Sequence, residues 1–292
     1  MEYLLVVFAI LMSSTTSLFG GFYNRACVGK TSSSQFYNFM QLSSVCFCWS
    51  VMFILNPEFD IAVMPYTLGF SAGYCVAVFG IINALRTGPV MLTTLMTQMS
   101  LVVVSVWGFI FWSAPVTAFV IVGLCLTVLA IFLCLYTKKR NDEKSGNAKI
   151  TPKWIMFALM AFGGNAMCTV FQRTQQMVFG GRYGNQLMFF ATLIGVIFFA
   201  AIYLRSDVKD HRFLMKKSFI PLIAGVCNVA MNIFVITLAT ASIPSTMVYL
   251  PMSIFPLIIV SLFSLIVFRE KLRISQWIGV GVGIVSVILL SL

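Results

Sequence analysis

The chain has 292 residues, of which 60% are hydrophobic and only 9% charged, and its formal net charge is +11. Its mean hydropathy is +0.98. Soluble domains carry about 25% charged and about 45–50% apolar residues, so this composition excludes a soluble globular protein and indicates a chain that lies in a membrane.

Ten hydrophobic stretches fill nearly the whole chain, each close to the roughly 20 residues that a helix needs to cross a bilayer. Continuous apolar runs that do not alternate favour helices over a barrel, because helices pair all their backbone groups internally. We therefore predict an all-α integral membrane protein. Its predicted transmembrane helices are Tyr3–Phe22, Gln35–Leu55, Ile61–Leu85, Pro89–Trp112, Pro115–Tyr136, Trp154–Phe171, Asn185–Leu204, Phe219–Leu238, Pro244–Phe268 and Ile274–Ser291.

The longest connection, Thr137–Lys153, contains the polar run Lys138–Lys144 and lies at the midpoint of the chain. We expect residues 1–137 to form one five-helix unit and residues 154–292 a second. Residues 138–153 would be a basic cytoplasmic linker between them.

Basic residues gather in the odd-numbered connections, and of the 19 lysines and arginines only Arg173 and Arg182 lie on the other side. Lysine and arginine accumulate in cytoplasmic loops, so this bias predicts that both termini lie outside the cytoplasm. The same bias accounts for the net charge without a nucleic-acid partner. Trp112, Trp154 and Trp277 fall near helix ends, as interfacial anchors do.

An internal repeat joins the two units. Similar residues recur in the same order at an offset of about 150 residues: Asn24-Arg25 with Gln172-Arg173, Asn38 with Gln186, Leu85–Gly88 with Leu238–Ala241, and Met99-Ser100 with Met252-Ser253. Because five helices is an odd number, the second copy enters the membrane upside down. Inverted repeats of this kind are common in secondary transporters, whose substrate site lies near the midplane between the copies.

Several motifs resemble a known family. They are Asn83–Gly88 followed by a long helix, Phe268-Arg269-Glu270-Lys271-Leu272, Gln276-Trp277-Ile278-Gly279 and Gly283-Ile284-Val285. Together they are similar to the EamA-like repeats of the drug/metabolite transporter superfamily. The resemblance implies a ten-helix transporter, with export more frequent than import. The first half departs from the pattern, with Phe111–Ala114 where a second helix-end glutamate would fall.

Ionisable residues inside a membrane are functional candidates, but none of the eight acidic residues lies in the middle of a predicted helix, and His211 is in a basic loop. An enzyme would need a general acid or base, so we expect none. We also expect no cofactor and no metal site, because the cysteines lack metal-binding spacings. A pump for lipophilic cations is disfavoured, since Ser13–Ser17 stands where small multidrug transporters carry a membrane-embedded glutamate.

Uncharged polar side chains are the remaining candidates for substrate binding. Asn228 and Asn232 share one helix face because they are four residues apart, and Thr94 shares a face with Thr97 and Gln98. We predict that the substrate contacts Tyr74, Thr94, Gln98, Asn165, Asn228, Asn232 and Tyr249. The alternative is that these residues only pack between helices.

Four further residues are predicted to serve in gating or structure. Arg86 ends the third helix and is either a gate or a headgroup anchor. Arg173 could meet a carboxylate at a cavity mouth, while Pro251 frees a backbone carbonyl and can kink its helix. Glu270 belongs to a helix-end cluster of charges.

These features predict a secondary transporter in the plasma membrane that moves a small polar metabolite, amino-acid-like or nucleoside-like, by alternating access, with export as the direction. One alternative is multidrug efflux of lipophilic cations. Another is a scaffold or lipid-handling membrane protein that transports nothing. The expected partners are a small-molecule substrate and membrane lipids, and the protein could be a monomer or a homodimer.

Overall fold

The fold is known from a computed structural model that describes residues 2–28, 30, 32–112, 117–135, 150–206, 211–239, 245–267 and 274–291. Every regular element within those residues is a helix, which confirms the all-α prediction. The helices are α1 (Glu2–Ala26), α2 (Ser33–Leu55), α3 (Met64–Thr87), α4 (Val90–Gln98), α5 (Leu101–Phe111), α6 (Ala118–Leu135), α7 (Pro152–Val178), α8 (Gly184–Arg205), α9 (His211–Lys216), α10 (Phe219–Ala239), α11 (Ser245–Ile266) and α12 (Ile274–Ser291). A short 3₁₀ turn, Ile61–Val63, precedes α3.

Length and hydropathy make the chain a multi-pass membrane protein. Among the described residues, six helical segments are long and apolar enough to cross a bilayer: Leu4–Ala26, Ser33–Leu55, Ile61–Thr87, Val90–Phe111, Pro152–Val178 and Gly184–Arg205. Shorter apolar helices cover Ile121–Leu133, Phe219–Phe234, Phe255–Ile266 and Trp277–Ser286.

The fourth predicted helix is divided in two. A turn at Met99 and Ser100 separates α4 from α5, although neither proline nor glycine stands there. The backbone N–H groups of Ser100, Val102 and Val103 each bond three residues back instead of four, which tightens the chain locally. The predicted helix Pro89–Trp112 therefore has the right overall extent, but it is two helices and not one continuous helix.

Small residues bring α3 and α7 into close contact. A Cβ atom added to Gly164 would lie 2.4 Å from the backbone nitrogen of Ala77, and one added to Gly80 would lie 2.5 Å from that of Ala161. Such residues let transmembrane backbones approach closely. The pairing fixes the first half of the chain against the second.

Side-chain hydrogen bonds tie other helices together. Ser44 Oγ on α2 donates to the carbonyl of Leu222 on α10 (3.0 Å), and Thr16 Oγ1 on α1 donates to that of Ala224 (3.4 Å). Ser286 Oγ on α12 donates to the carbonyl of Gly123 on α6 (2.8 Å) and contacts Thr127 Oγ1. These bonds hold helices of opposite halves side by side.

Trp154, whose position near a helix end is typical of an interfacial anchor, packs inside the protein. Its side chain is fully buried, and its indole Nε1–H donates to Thr93 Oγ1 (3.0 Å). A Cβ atom on Gly88 would lie 2.2 Å from its ring. Trp154, near the start of α7, therefore forms a buried contact between the second half of the chain and Gly88 and Thr93 of the first half.

The cysteines of the described residues are free thiols, and most are buried. Cys27 lies just past α1 in a cluster with Tyr23, Phe36 and Tyr37. Burial raises the pKa of its thiol, so the thiol stays neutral in its apolar surroundings. Cys125 on α6 is exposed.

Candidate functional site

A cavity of about 380 Å³ lies between helices of the two halves. Ligand pockets in proteins measure about 300–1,000 Å³, so this one has room for a single small metabolite. Its polar wall consists of Ser13, Thr16 and Ser17 from α1, Tyr37, Gln41 and Trp49 from α2, Tyr74 from α3, Thr93, Thr94, Thr97 and Gln98 from α4, Asn165, Thr169 and Gln172 from α7, Thr192 from α8, and Asn228 and Asn232 from α10.

The α4 wall of the cavity is a ladder of threonines. The hydroxyls of Thr93, Thr94 and Thr97 donate to the carbonyls of Pro89 (2.9 Å), Val90 (3.0 Å) and Thr93 (3.0 Å). Each hydroxyl has thereby used its only proton. Thr93 Oγ1 already accepts from Trp154 Nε1–H, whereas the oxygens of Thr94 and Thr97 retain lone pairs that can accept a further bond.

On α10, Asn232 and Asn228 bond to each other, as their four-residue spacing allows. Asn232 Nδ2 donates to the Asn228 backbone carbonyl (2.8 Å) and, more weakly, to Asn228 Oδ1 (3.4 Å). This contact fixes the Asn228 amide, whose own NH₂ group has no protein partner among the described residues. That NH₂ group is free to donate to a bound molecule.

Asn165 forms hydrogen bonds to the α4–α5 turn at the edge of the cavity. Its Nδ2 donates to Ser100 Oγ (2.7 Å) and to the Thr97 carbonyl (3.3 Å). Both acceptors belong to the break between α4 and α5. The amide thus supplies the tertiary contact that stabilises the tightened turn.

Several other polar groups on the wall have no hydrogen-bond partner within the described part of the chain. They are the amides of Gln41, Gln98 and Gln172 and the hydroxyl of Tyr74. With Asn228 they come from five different helices, and each is electrically neutral. Partially exposed to the cavity, they can both donate to and accept from a polar solute.

Charged side chains are absent from the described wall of the cavity. Arg182 Nε and Glu58 Oε2 form an ion pair at 3.7 Å, but both residues are exposed and lie in loops outside the cavity. The described residues also bring no three histidine, cysteine or acidic side chains together. The site can therefore select by shape and hydrogen bonding, without a fixed counter-charge.

Six of the seven side chains that were predicted to contact substrate lie on this wall: Tyr74, Thr94, Gln98, Asn165, Asn228 and Asn232. The seventh, Tyr249, and the predicted gate Pro251 belong to α11, which continues through both positions, but their side chains are outside the described set. Binding of substrate by these residues stays a prediction.

The charged residues predicted for gating lie away from the cavity. Arg86 is exposed at the end of α3. Arg173 is exposed on α7, and its guanidinium carbon lies 5.2 Å from the centre of the Trp112 ring. Its neighbour Gln172 faces the cavity instead. Glu270 lies outside the described residues.

The sequence prediction overlooked part of the wall, notably Gln41, Trp49, Gln172 and Thr192. Gln41 and Thr192 lie inside predicted transmembrane helices, where a polar residue is a functional candidate. The spacing of Tyr37 and Gln41, four residues apart, was the available signal because it places both on one face of α2.

A hydrogen-bonded clamp closes the loop before α3. Gln186 is fully buried, and its Oε1 accepts from the Asp60 backbone N–H while its Nε2 donates to the Asp60 carbonyl, both at 2.8 Å. Asp60 in turn caps the 3₁₀ turn through the N–H of Ala62 (2.9 Å). The start of α8 thereby holds the start of α3.

Comparison with known proteins was made against family models, curated sequences and solved structures. Residues 152–292 match the model of the EamA-like transporter family. No curated protein matches the chain in sequence.

Among solved structures, 27 chains match. One of them, titled only as the crystal structure of a protein, is similar with a TM-score of 0.60 at 11% sequence identity. That match covers 99% of this chain and 95% of the other. It shows that the described fold occurs in an experimentally solved protein of nearly the same extent.

Proposed function

Since residues 152–292 belong to the EamA-like transporter family of the drug/metabolite transporter superfamily, whose members are transporters and not enzymes, we propose that this protein is a secondary transporter of a small polar organic metabolite. It works by alternating access in the plasma membrane. The observation that carries the proposal is the neutral, hydrogen-bonding cavity of about 380 Å³ between the two halves.

The chemistry of the wall selects the class of solute. Unpaired amides and hydroxyls replace the hydration of a polar solute, whereas an apolar solute would leave them unpaired at a cost of about 1–3 kcal/mol each. Trp49, Tyr37 and Tyr74 add aromatic surface. A neutral or zwitterionic molecule, amino-acid-like or nucleoside-like, satisfies both features.

Ten transmembrane helices form two inverted repeats in this proposal, residues 1–137 and 154–292, joined by the linker 138–153. Helix packing supports the arrangement. If α1, α2, α3, α4 and α6 correspond to α7, α8, α10, α11 and α12, the most extensive contacts between the halves recur with the halves exchanged. The α3–α7 contact corresponds to α1–α10, α3–α8 to α2–α10, and α4–α7 to α1–α11, while α2, α4 and α6 each pack on their own counterpart, α8, α11 and α12.

Orientation and direction follow from charge and family. The basic connections lie on the cytoplasmic side in this proposal, so both termini face outward. Export is the direction that the family resemblance favours. An uncoupled or unusually coupled mechanism is consistent with the lack of a carboxylate in the described cavity wall.

Efflux of lipophilic cations is the second candidate within transport. A cation taken out of water needs an opposite charge or a dense set of acceptors. The described wall carries no acid, and Glu58 is engaged with Arg182. The neutral solute therefore fits better. A scaffold or lipid-handling protein without transport would not need a polar cavity at all.

Counterflow into proteoliposomes tests the proposal. Proteoliposomes that contain the purified protein are loaded with unlabelled amino acids, nucleosides or small amines. Uptake of the same compound in labelled form is then followed. We expect one polar class to exchange, and Asn228→Ala with Asn232→Ala to lower its kcat/KM by about tenfold or more, since two hydrogen-bonding amides are removed.

Val226→Ala is the matched control. Val226 lies on the same helix and is half exposed on the opposite, apolar side, so its truncation leaves flux unchanged. Normal flux in a folded Asn228/Asn232 double variant would reject the cavity as the substrate site, and exchange of lipophilic cations alone would replace the proposal with the second candidate.

A further inference from the structure

A second concavity lies on the outer surface between α5 and α7, and we name it the α5–α7 groove. Its volume is about 820 Å³, and its walls include Val103, Trp107, Phe111, Gly163, Val170 and Met177. Trp107 stacks on Phe111 with ring centres 4.1 Å apart. The walls are almost entirely apolar, unlike those of the central cavity.

Gly163 lies at the end of this groove opposite Met177. A Cβ atom added there would meet no atom within 4 Å, whereas the adjacent Gly164 is in tight contact with α3. From Gly163 the groove follows one face of α7 through Val170 to Met177. The open space at Gly163 is therefore a feature of the groove and not of helix packing.

An exposed cation lies beside the groove, near its Met177 end. Arg173 rests on Trp112, a residue of the groove wall, with 5.2 Å between the guanidinium carbon and the ring centre. No acidic side chain among the described residues pairs with it. Arg182, by contrast, has Glu58 at 3.7 Å. Arg173 thus keeps a planar, oriented charge available for an anion.

The separation of Gly163 and Arg173 along α7 matches one leaflet of a bilayer. Gly163 and Arg173 are ten residues apart on one helix, which corresponds to about 15 Å at 1.5 Å per residue. The hydrocarbon core is about 30 Å thick, so half of it is about the same length. With Arg173 at the level of the headgroups, Gly163 lies near the middle of the membrane.

We propose that the α5–α7 groove is a binding site for one anionic phospholipid. An acyl chain lies along α7 against Gly163, and the phosphate takes the guanidinium of Arg173. Arginine binds phosphate oxygens through paired, charge-assisted hydrogen bonds, and its stacking on Trp112 holds the guanidinium in place. The acyl chain fills apolar space that no described side chain enters.

Native mass spectrometry of the detergent-purified protein tests this site, with dioleoyl phosphatidylglycerol and dioleoyl phosphatidylcholine as the added lipids. We expect one phosphatidylglycerol molecule to be retained in preference to phosphatidylcholine. Arg173→Ala should weaken that retention by about tenfold, because the charge-assisted hydrogen bonds between the guanidinium and the phosphate are lost. Gly163→Leu should weaken it for both lipids by filling the groove.

Two variants serve as matched controls. Gly281→Leu alters an exposed helical glycine on α12 that also has no atom within 4 Å of an added Cβ, and Arg182→Ala removes a neighbouring arginine with its own acidic partner. Both should retain the lipid. Equal retention in all five proteins, or no preference between the lipids, would overturn the proposal. Detection of a dimer that the Gly163→Leu substitution dissociates would also overturn the proposal, because the groove would then be an interface between two copies of the chain.

Discussion

Asn165 on α7 donates its amide hydrogen to Ser100 Oγ at 2.7 Å, across the point where the fourth membrane segment breaks. The same amide bonds the carbonyl of Thr97 at 3.3 Å. A residue that the sequence indicates as a substrate ligand is thus also a tether between the halves. The break itself exists because a side chain 65 residues away satisfies it.

The tether predicts that Asn165→Leu destabilises the protein. The leucine has a similar size but leaves Ser100 Oγ and the Thr97 carbonyl without the amide, which costs about 1–3 kcal/mol for buried groups. Thermal unfolding in detergent measures the loss. Thr169→Val, one turn further along α7, is the control because its hydroxyl bonds only within the helix, to the Asn165 carbonyl. An equal melting temperature for the two variants would contradict the tethering role.

Adjacent glycines on α7 make opposite predictions. Gly164→Ala places a methyl group 2.4 Å from the Ala77 backbone nitrogen, so α3 and α7 must separate, and overpacking of this kind costs about 1–3 kcal/mol. Gly163→Ala meets no atom within 4 Å and gains helix propensity, up to about 1 kcal/mol. The melting temperature should fall for the first variant and hold or rise for the second. Equal effects would show that the two helices do not pack as described.

The Gln186 clamp predicts a local loss of structure when it is removed. Gln186→Ala leaves the Asp60 backbone N–H without its partner and leaves the Asp60 carbonyl with only the Val63 N–H (3.2 Å). An unpaired group costs about 1–3 kcal/mol if it stays buried. We expect a lower melting temperature and faster hydrogen exchange at residues 56–63. Asp60→Asn retains both backbone bonds and should behave as the unaltered protein. Unchanged exchange in Gln186→Ala would contradict the clamp.

Asn38 is the residue that the proposed repeat pairs with Gln186, and its hydrogen bonding is the opposite. It is fully buried, and neither its amide nitrogen nor its oxygen has a hydrogen-bond partner among the residues that the structure describes. If the halves exchange roles during transport, Asn38 forms a clamp only in the other conformation. Asn38→Leu should therefore raise the melting temperature by removing an unpaired amide and should also slow flux.

Ser43→Ala is the control for that variant, since its hydroxyl bonds only to Phe39 within α2. A lower melting temperature for Asn38→Leu would show that the amide is already satisfied in this conformation. Unchanged flux would separate Asn38 from the transport cycle.

Periodicity was enough to predict the parts of this protein that depend on one helix at a time. The apolar runs predicted where helices lie, and the four-residue spacing of Asn228 and Asn232 predicted that they share a face. That face lines the cavity, whereas the opposite side of α10, at Val226, is apolar and exposed.

Features that depend on contacts between distant residues could not be read in the same way. The break at Ser100 is a property of the pair that it forms with Asn165. Trp154 is buried because Gly88 leaves space for its ring and Thr93 accepts its N–H. The short helix α9 (His211–Lys216) falls in a basic connection that was predicted as a loop, and its buried Leu214 packs on the cluster around Tyr23.

The most direct test of the central claim is ligand-dependent thermal stability of the purified protein, measured with amino acids, nucleosides, small amines and lipophilic cations. A ligand of the folded state stabilises it by about 2.7 kcal/mol at a hundredfold excess over its Kd. We predict stabilisation by one class of neutral or zwitterionic metabolites, and its loss in the Asn228→Ala, Asn232→Ala variant. Stabilisation by lipophilic cations alone, or an equal shift in that variant, would contradict a polar metabolite site in the central cavity.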